Sequence, residues 1–228
     1  MRRQLRRPFL IVNPKAYIYG EEALELAKIS DELSAQYDID IIYTAQHTDI
    51  RMIAQETEHI IVTAQHMDGI VPGRGMGHIL PESVKAAGAE AVVLNHAEHP
   101  LGTGALAAAV KRARELDLLV VICADTPEEC AAVAQLSPDV IIAEPSSGIG
   151  KGLSSSDDYM RATNEAIRAV NKDIFILQAA GIRTGEDVYR AILNGSDASG
   201  ATSGIVNAPD RRASIVEMIE GMQRACRG

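Results

Sequence analysis

Apolar residues gather into short runs along the chain, and longer polar stretches with helical periodicity separate them. The runs are FLIVN at 9–13, IDIIYTA at 39–45, HIIVTAQ at 59–65, EAVVLN at 90–95, LLVVICA at 118–124, DVIIAE at 139–144, DIFILQA at 173–179 and a weaker DASGATS at 197–203. Most are apolar almost throughout, with little alternation, which is the pattern of parallel strands buried on both faces. Between them apolar residues recur at helical spacing, as in Leu24, Ala27 and Leu33, or Val188, Ala191 and Ile192. Helix-start chemistry falls where it is needed: Thr126 precedes Pro127 and two glutamates, and Thr184 precedes Glu186 and Asp187. Eight strand-then-helix units of about 28 residues each predict an α/β protein, a single (β/α)8 barrel domain over 1–228. An open doubly wound sheet is the competing architecture, but no G-x-G-x-x-G follows the first run.

Composition narrows the picture. Aromatic residues make up 4% of the 228 residues and Trp is absent, so Ala, Val, Ile and Leu must build the core. The formal charge of -9 leaves no footprint for nucleic acid, and the local basic run RRQLRR at 2–7 reads as a solvated tail ahead of the first strand. Cys123, Cys130 and Cys226 are odd in number and show no C-x-x-C spacing, which argues against a disulfide framework or a zinc site and for reduced thiols. No apolar stretch approaches the roughly 18 residues that span a bilayer, and no signal-peptide pattern opens the chain. The expectation is a cytoplasmic protein with no membrane partner. The longest unpatterned stretch, DGIVPGRGMGH at 68–78, is expected to be a functional or interface loop.

In a (β/α)8 barrel the active site lies where the strands end, so polar residues there carry the chemistry. Five strand ends stand out: Asn13-Pro14-Lys15, Asn95-His96-Ala97-Glu98, Glu144-Pro145, Ala179-Ala180-Gly181 and Thr202-Ser203-Gly204. Each has a bland reading alone: a surface lysine, a hydrogen-bonded structural histidine, a helix cap, turn glycines. One barrel mouth accounts for all of them. A dry carboxylate at Glu144 can take a proton from carbon beside a carbonyl. A neutral imidazole at His96 can polarise the carbonyl oxygen, and Lys15 adds positive charge for the oxyanion. Small residues at 179–181 and 202–204 let backbone N–H groups approach a phosphate. Together these describe an aldose-ketose isomerase acting on a small phosphorylated sugar, with no cofactor and no metal.

The chain also resembles the triosephosphate isomerase family, in its shorter archaeal form, along essentially its whole length. N-x-K after the first strand, AQH at 64–66, GHILPESVKAAGA at 77–89, NH-x-EH at 95–99, EP followed by IG, AGI at 180–182 and SG at 203–204 occur in the family's order. The resemblance implies that Asn13 and Lys15 bind substrate, that His96 is the electrophile, that Glu98 supports Lys15 and that Glu144 is the base. It also implies a closing loop from Pro145 to about Gly152, a phosphate site at Gly181, Ser203 and Gly204, a place in glycolysis and gluconeogenesis, and a homodimer or homotetramer joined through the third strand-to-helix loop. Several positions depart from the family pattern: Ser146, Ser147, Gly148 and Lys151 in the closing loop, Ala97 after the histidine, Gly75 and Met76 in the 68–78 loop, and Pro100. Two other functions fit the same residues, namely isomerisation of a longer, four-carbon ketose phosphate and phosphate-ligand binding without turnover.

Overall fold

In this computed structural model, residues 3–146 and 155–227 are described. Strands β1 (Phe9–Val12), β2 (Asp40–Ala45), β3 (Ile61–Ala64), β4 (Ala91–Leu94), β5 (Leu119–Ala124), β6 (Val140–Ala143), β7 (Phe175–Gln178) and β8 (Ala198–Ala201) pair in sequence order. All pairings are parallel, and β8 returns to β1 with Phe9 opposite Ala198, so the sheet closes into the expected barrel. Around it run α1 (Gly20–Tyr37), α2 (Ile50–Glu56), α3 (Pro81–Ala87), α4 (Thr103–Glu115), α5 (Pro127–Ala134), α6 (Asp157–Val170), α7 (Gly185–Leu193), the single turn α8 (Ser203–Val206) and α9 (Arg211–Arg227). The predicted helix starts are formed as read. Thr126 accepts a hydrogen bond from Glu129 N with Pro127 in the first turn, and Thr184 and Asp187 make a reciprocal capping box. No helix among the described residues is long and apolar enough to cross a membrane.

Two apolar clusters hold the molecule. The larger lies between strands and helices and includes Leu24, Ala27, Leu33, Val188 and Ile219. The smaller fills the barrel lumen with alternate strand residues, among them Phe9 and Ile11, Ala91 and Val93, Leu119, Val121 and Cys123, Val140 and Ile142. The same alternation carried two residues further reaches Asn13 and Glu144, which therefore cap the lumen at the carboxyl ends of the strands, while on the fourth strand His96 joins them there. Weak β8 has a steric reason to be small. A Cβ on Gly200 would stand 2.1 Å from the carbonyl oxygen of Ile11 on β1, so a larger residue here would push the two strands apart.

The basic run at the N-terminus is not the solvated tail that its composition suggests. Leu5 packs against the lumen cluster, and the arginines beside it find acidic partners at the starts of the even-numbered strands. Arg6 bonds Asp40 through its backbone N–H at 2.7 Å and through its guanidinium at 2.9 and 3.2 Å. Arg7 donates to Asp197 at 3.0 Å, and Arg3 reaches Glu90 at 3.4 Å and the carbonyl of Ile60 at 3.3 Å. Asp40 and Asp197 are almost wholly buried, so each needs its partners: a buried carboxylate left alone is costly. Sequence composition registers only the charge of such a run, because its partners lie on distant strands.

The 68–78 loop stays free of helix and strand, as expected. Its neck is closed by Asp68, whose N–H donates to Ile79 O at 3.0 Å and whose carboxylate accepts from Ile79 N at 2.6 Å. Its tip leaves Val71 and Met76 in solvent. Cys123, Cys130 and Cys226 are free thiols, the first two buried and the third exposed.

Candidate active site

The first strand delivers its residues through a left-handed turn. Lys15 sits at φ 49, a conformation that costs a residue with a side chain roughly 1 kcal/mol, so the surroundings must hold it there. They do so from both sides. Lys15 N donates to Asn13 Oδ1 at 3.0 Å, while its carbonyl accepts from Gln46 Nε2 at 3.1 Å and from Gln65 Nε2 at 2.8 Å. Asn13 is fixed in turn by the hydroxyl of Thr44, which donates to Oδ1 at 2.6 Å. The ammonium then reaches across the mouth to Glu98 Oε1 at 2.8 Å. Thr44, Gln46 and Gln65 hold this turn in place, and the strand-end criterion, as applied to the sequence, passed over them. Polar residues ending strands on the lumen side, the feature that marks Asn13 and Glu144, also marks these three.

The fourth strand ends in a second left-handed residue, Asn95 at φ 59. Its side chain is locked by donation to Cys123 O at 3.0 Å and acceptance from Leu101 N at 2.9 Å. This turn carries His96, whose Nδ1 accepts the backbone N–H of Glu98 at 3.1 Å. An N–H can only donate, so Nδ1 must be unprotonated, and the proton of a neutral ring is assigned to Nε2. Nε2 is buried without a hydrogen-bond partner, 3.7 Å from Glu144 Oε2. That separation is too long for a hydrogen bond, and a cavity of about 30 Å³ lined by Asn13, Lys15, His96, Glu144, Ala179 and Thr202 opens beside the pair. A larger cavity of about 310 Å³ shares Asn13, Lys15 and His96 and extends toward Gln46, Gln65 and His99.

Electrostatics follow from this burial. Desolvation lowers the His96 pKa and Lys15 lowers it further, against an opposing pull from Glu98, so the ring is held neutral. Desolvation raises the carboxyl of Glu144, and Glu98 adds to the shift while Lys15 opposes it. Two ionisable neighbours are thus pushed in opposite directions. A base must be deprotonated to act, so the acid limb of kcat/KM is expected above the ordinary glutamate value of 4.5, and activity should fall as pH drops through that raised value. A profile measured between neutrality and acid checks this. An acid limb at or below 4.5 would exclude Glu144 as the group that titrates.

Gly204 lies in close backbone contact with Arg183, two residues beyond Gly181. A Cβ on Gly204 would stand 2.8 Å from Arg183 Cα, so glycine lets the turn after β8 rest on the loop after β7. Ser203 and Gly204 begin α8, where first-turn N–H groups have no acceptor within the helix. Ser146, just past Glu144, donates to the carboxylate of Asp125, and the Asp125 carbonyl accepts from Tyr159 OH at 2.5 Å. The rest of the expected closing loop, including Ser147, Gly148 and Lys151, lies outside the described residues. Among the described residues no three His, Cys, Asp or Glu side chains are grouped to hold a metal ion.

Comparison with known proteins agrees with this geometry. A sequence profile of the family Triosephosphate isomerase matches residues 8–219. The triosephosphate isomerase of Methanothermus fervidus is 37% identical over 221 residues, covering 95% of this chain and 99% of its own. That of Sulfolobus acidocaldarius is 35% identical over 225 residues, covering 97% of each, and that of Methanocaldococcus jannaschii is 35% identical over 216 residues, covering 92% of this chain and 98% of its own. With a closed eight-stranded barrel, the paired His96 and Glu144 at its mouth and matches along nearly the full length, the chain belongs to the triosephosphate isomerase family.

Proposed function

We propose that the protein interconverts dihydroxyacetone phosphate and glyceraldehyde 3-phosphate through an enediolate. The observation that carries this is the neutral His96, with Nε2 turned toward Glu144 across a 3.7 Å gap beside a small cavity. Glu144 takes the proton from the carbon beside the carbonyl and returns it to the neighbouring carbon. His96 Nε2–H donates to the carbonyl oxygen and passes the proton between the two oxygens. Lys15 stabilises the developing oxyanion, and Asn13 and Glu98 keep the ammonium in place. The phosphate rests against backbone N–H groups at Gly181, Ser203 and Gly204. A reaction on a soluble phosphorylated triose supports a cytoplasmic location for the enzyme.

Turnover of glyceraldehyde 3-phosphate in a coupled assay tests this reading, with a four-carbon ketose phosphate run in parallel. Fast triose turnover is expected. Faster tetrose turnover would reassign the substrate, since specificity is the ratio of kcat/KM values, and silence on both would leave a binding protein.

The assembly proposed with this function is a homodimer, or a homotetramer built from such dimers, joined through the 68–78 loop. Exposed Val71 and Met76 lie on that loop and exposed Tyr17 and Tyr19 on the loop after β1, both at the carboxyl end of the barrel. Met76→Glu is expected to shift sedimentation from dimer toward monomer, because a charge desolvated at an interface is strongly unfavourable. A wild-type monomer with full activity would remove the loop from the assembly.

A further inference from the structure

Arg190 stands on α7, away from the reacting groups, yet it is joined to the phosphate corner by a short chain of hydrogen bonds. Its Nε donates to Asp157 Oδ1 at 2.6 Å, and a terminal guanidinium nitrogen donates to the carbonyl of Ser155 at 2.9 Å. Asn194, one turn further along, donates to the same Asp157 oxygen at 3.0 Å. Ser155 passes the constraint on through its own N–H, which donates to Ala180 O at 3.3 Å. Ala180 is wholly buried. The Ala180 carbonyl and the Gly181 N–H belong to one planar trans peptide and point in opposite directions, so an anchor on the oxygen sets the direction of the N–H.

We infer that Arg190 is a positioning residue for phosphate binding, acting with Asp157 to hold Ser155 and thereby to aim the Gly181 N–H. The inference rests on the proposed reading that this N–H faces the substrate phosphate. A guanidinium suits this role because it grips a carboxylate and a carbonyl at once and stays charged at all working pH. The two anchored atoms lie close together in the chain at the start of α6, so the helix cannot shift without breaking one bond.

The experiment measures the Kd of inorganic phosphate and the kinetics on glyceraldehyde 3-phosphate for the wild type, Arg190→Leu and Asp157→Ala. Both variants are expected to weaken phosphate at least about fivefold and to raise KM by a similar factor while kcat stays within about twofold, the mark of lost uniform binding. The pair separates anchoring from a simple field. Removing Asp157 deletes a negative charge, so a field effect alone would tighten phosphate, whereas a lost anchor weakens it. Unchanged or tighter phosphate binding by Asp157→Ala overturns the inference, as does a wild type that binds no phosphate at tens of millimolar. Thermal unfolding of each variant distinguishes this from general loosening: a large drop in Tm with phosphate affinity intact would assign Arg190 to stability alone. A wild type that binds phosphate but isomerises no triose would refute the isomerase reading and leave the anchor to be judged on the phosphate data.

Discussion

Replacing Glu144 with Gln is expected to lower kcat at least about 100-fold, the low end of what a positioned general base supplies. The substitution is nearly isosteric, so the loss isolates proton acceptance from packing. The Glu144 side chain is 15% exposed and its carboxyl is held above the ordinary range by burial, so the folded protein tolerates the charged form at a cost. A neutral amide removes that cost. Tm should therefore stay level or rise while activity falls, a combination that a merely structural carboxylate would not give. The contact with His96, 3.7 Å away, is too long to be lost as a hydrogen bond. Steady-state kinetics and a thermal melt of the same preparation decide the matter, and a loss in kcat under about threefold would take Glu144 out of the mechanism.

Lys15→Met should reduce kcat/KM by about 100- to 1000-fold, the range seen when one preorganised oxyanion donor is removed. The backbone at Lys15 is held by Asn13, Gln46 and Gln65 through main-chain atoms, so truncating the charge leaves the turn in place. Glu98 loses its partner but is 57% exposed and stays hydrated. The variant also carries an electrostatic signature. Lys15 lowers the pKa of both His96 and Glu144, so without it both should rise, and the acid limb of the residual activity should move to higher pH. A pH profile that stays put while activity falls would mean that the lysine acts on substrate alone, and a loss under about tenfold would remove it from the oxyanion site.

The strands were legible to within a residue or two because a sheet buried on both faces needs near-continuous apolar runs, and these stand out from helical periodicity. Even β8, the weakest, is expected at 197–203 and found at Ala198–Ala201. The glycine at its centre, Gly200, is a consequence of contact with Ile11, which no local pattern reveals. At the mouth, Asn13, Lys15, His96, Glu98 and Glu144 could be found because strand ends in a barrel converge. The left-handed turns at Lys15 and Asn95 could not, since nothing local requires them there and glutamines far along the chain enforce the first. Arg190 and the N-terminal arginines escaped for a related reason. Their charge is visible in sequence, but an exposed arginine and an anchoring one look alike until the acceptors are in place.

The N-terminal arginines also set an order of events in biosynthesis. Arg7 and the carboxylate of Asp197 are separated by 190 positions, so a ribosome synthesises nearly the whole barrel before that clamp can form. The partners of Arg6, Asp38 and Asp40, emerge early, whereas Asp197 arrives with the last strand. The first strand must therefore wait with one side satisfied and the other open until β8 reaches it, so closure of the ring cannot precede synthesis of the last strand. Contacts of such long sequence separation form slowly. Loss of Arg7 alone would accordingly act late, on sealing the ring, whereas loss of Arg6 would act early, on the pairing of β1 with β2.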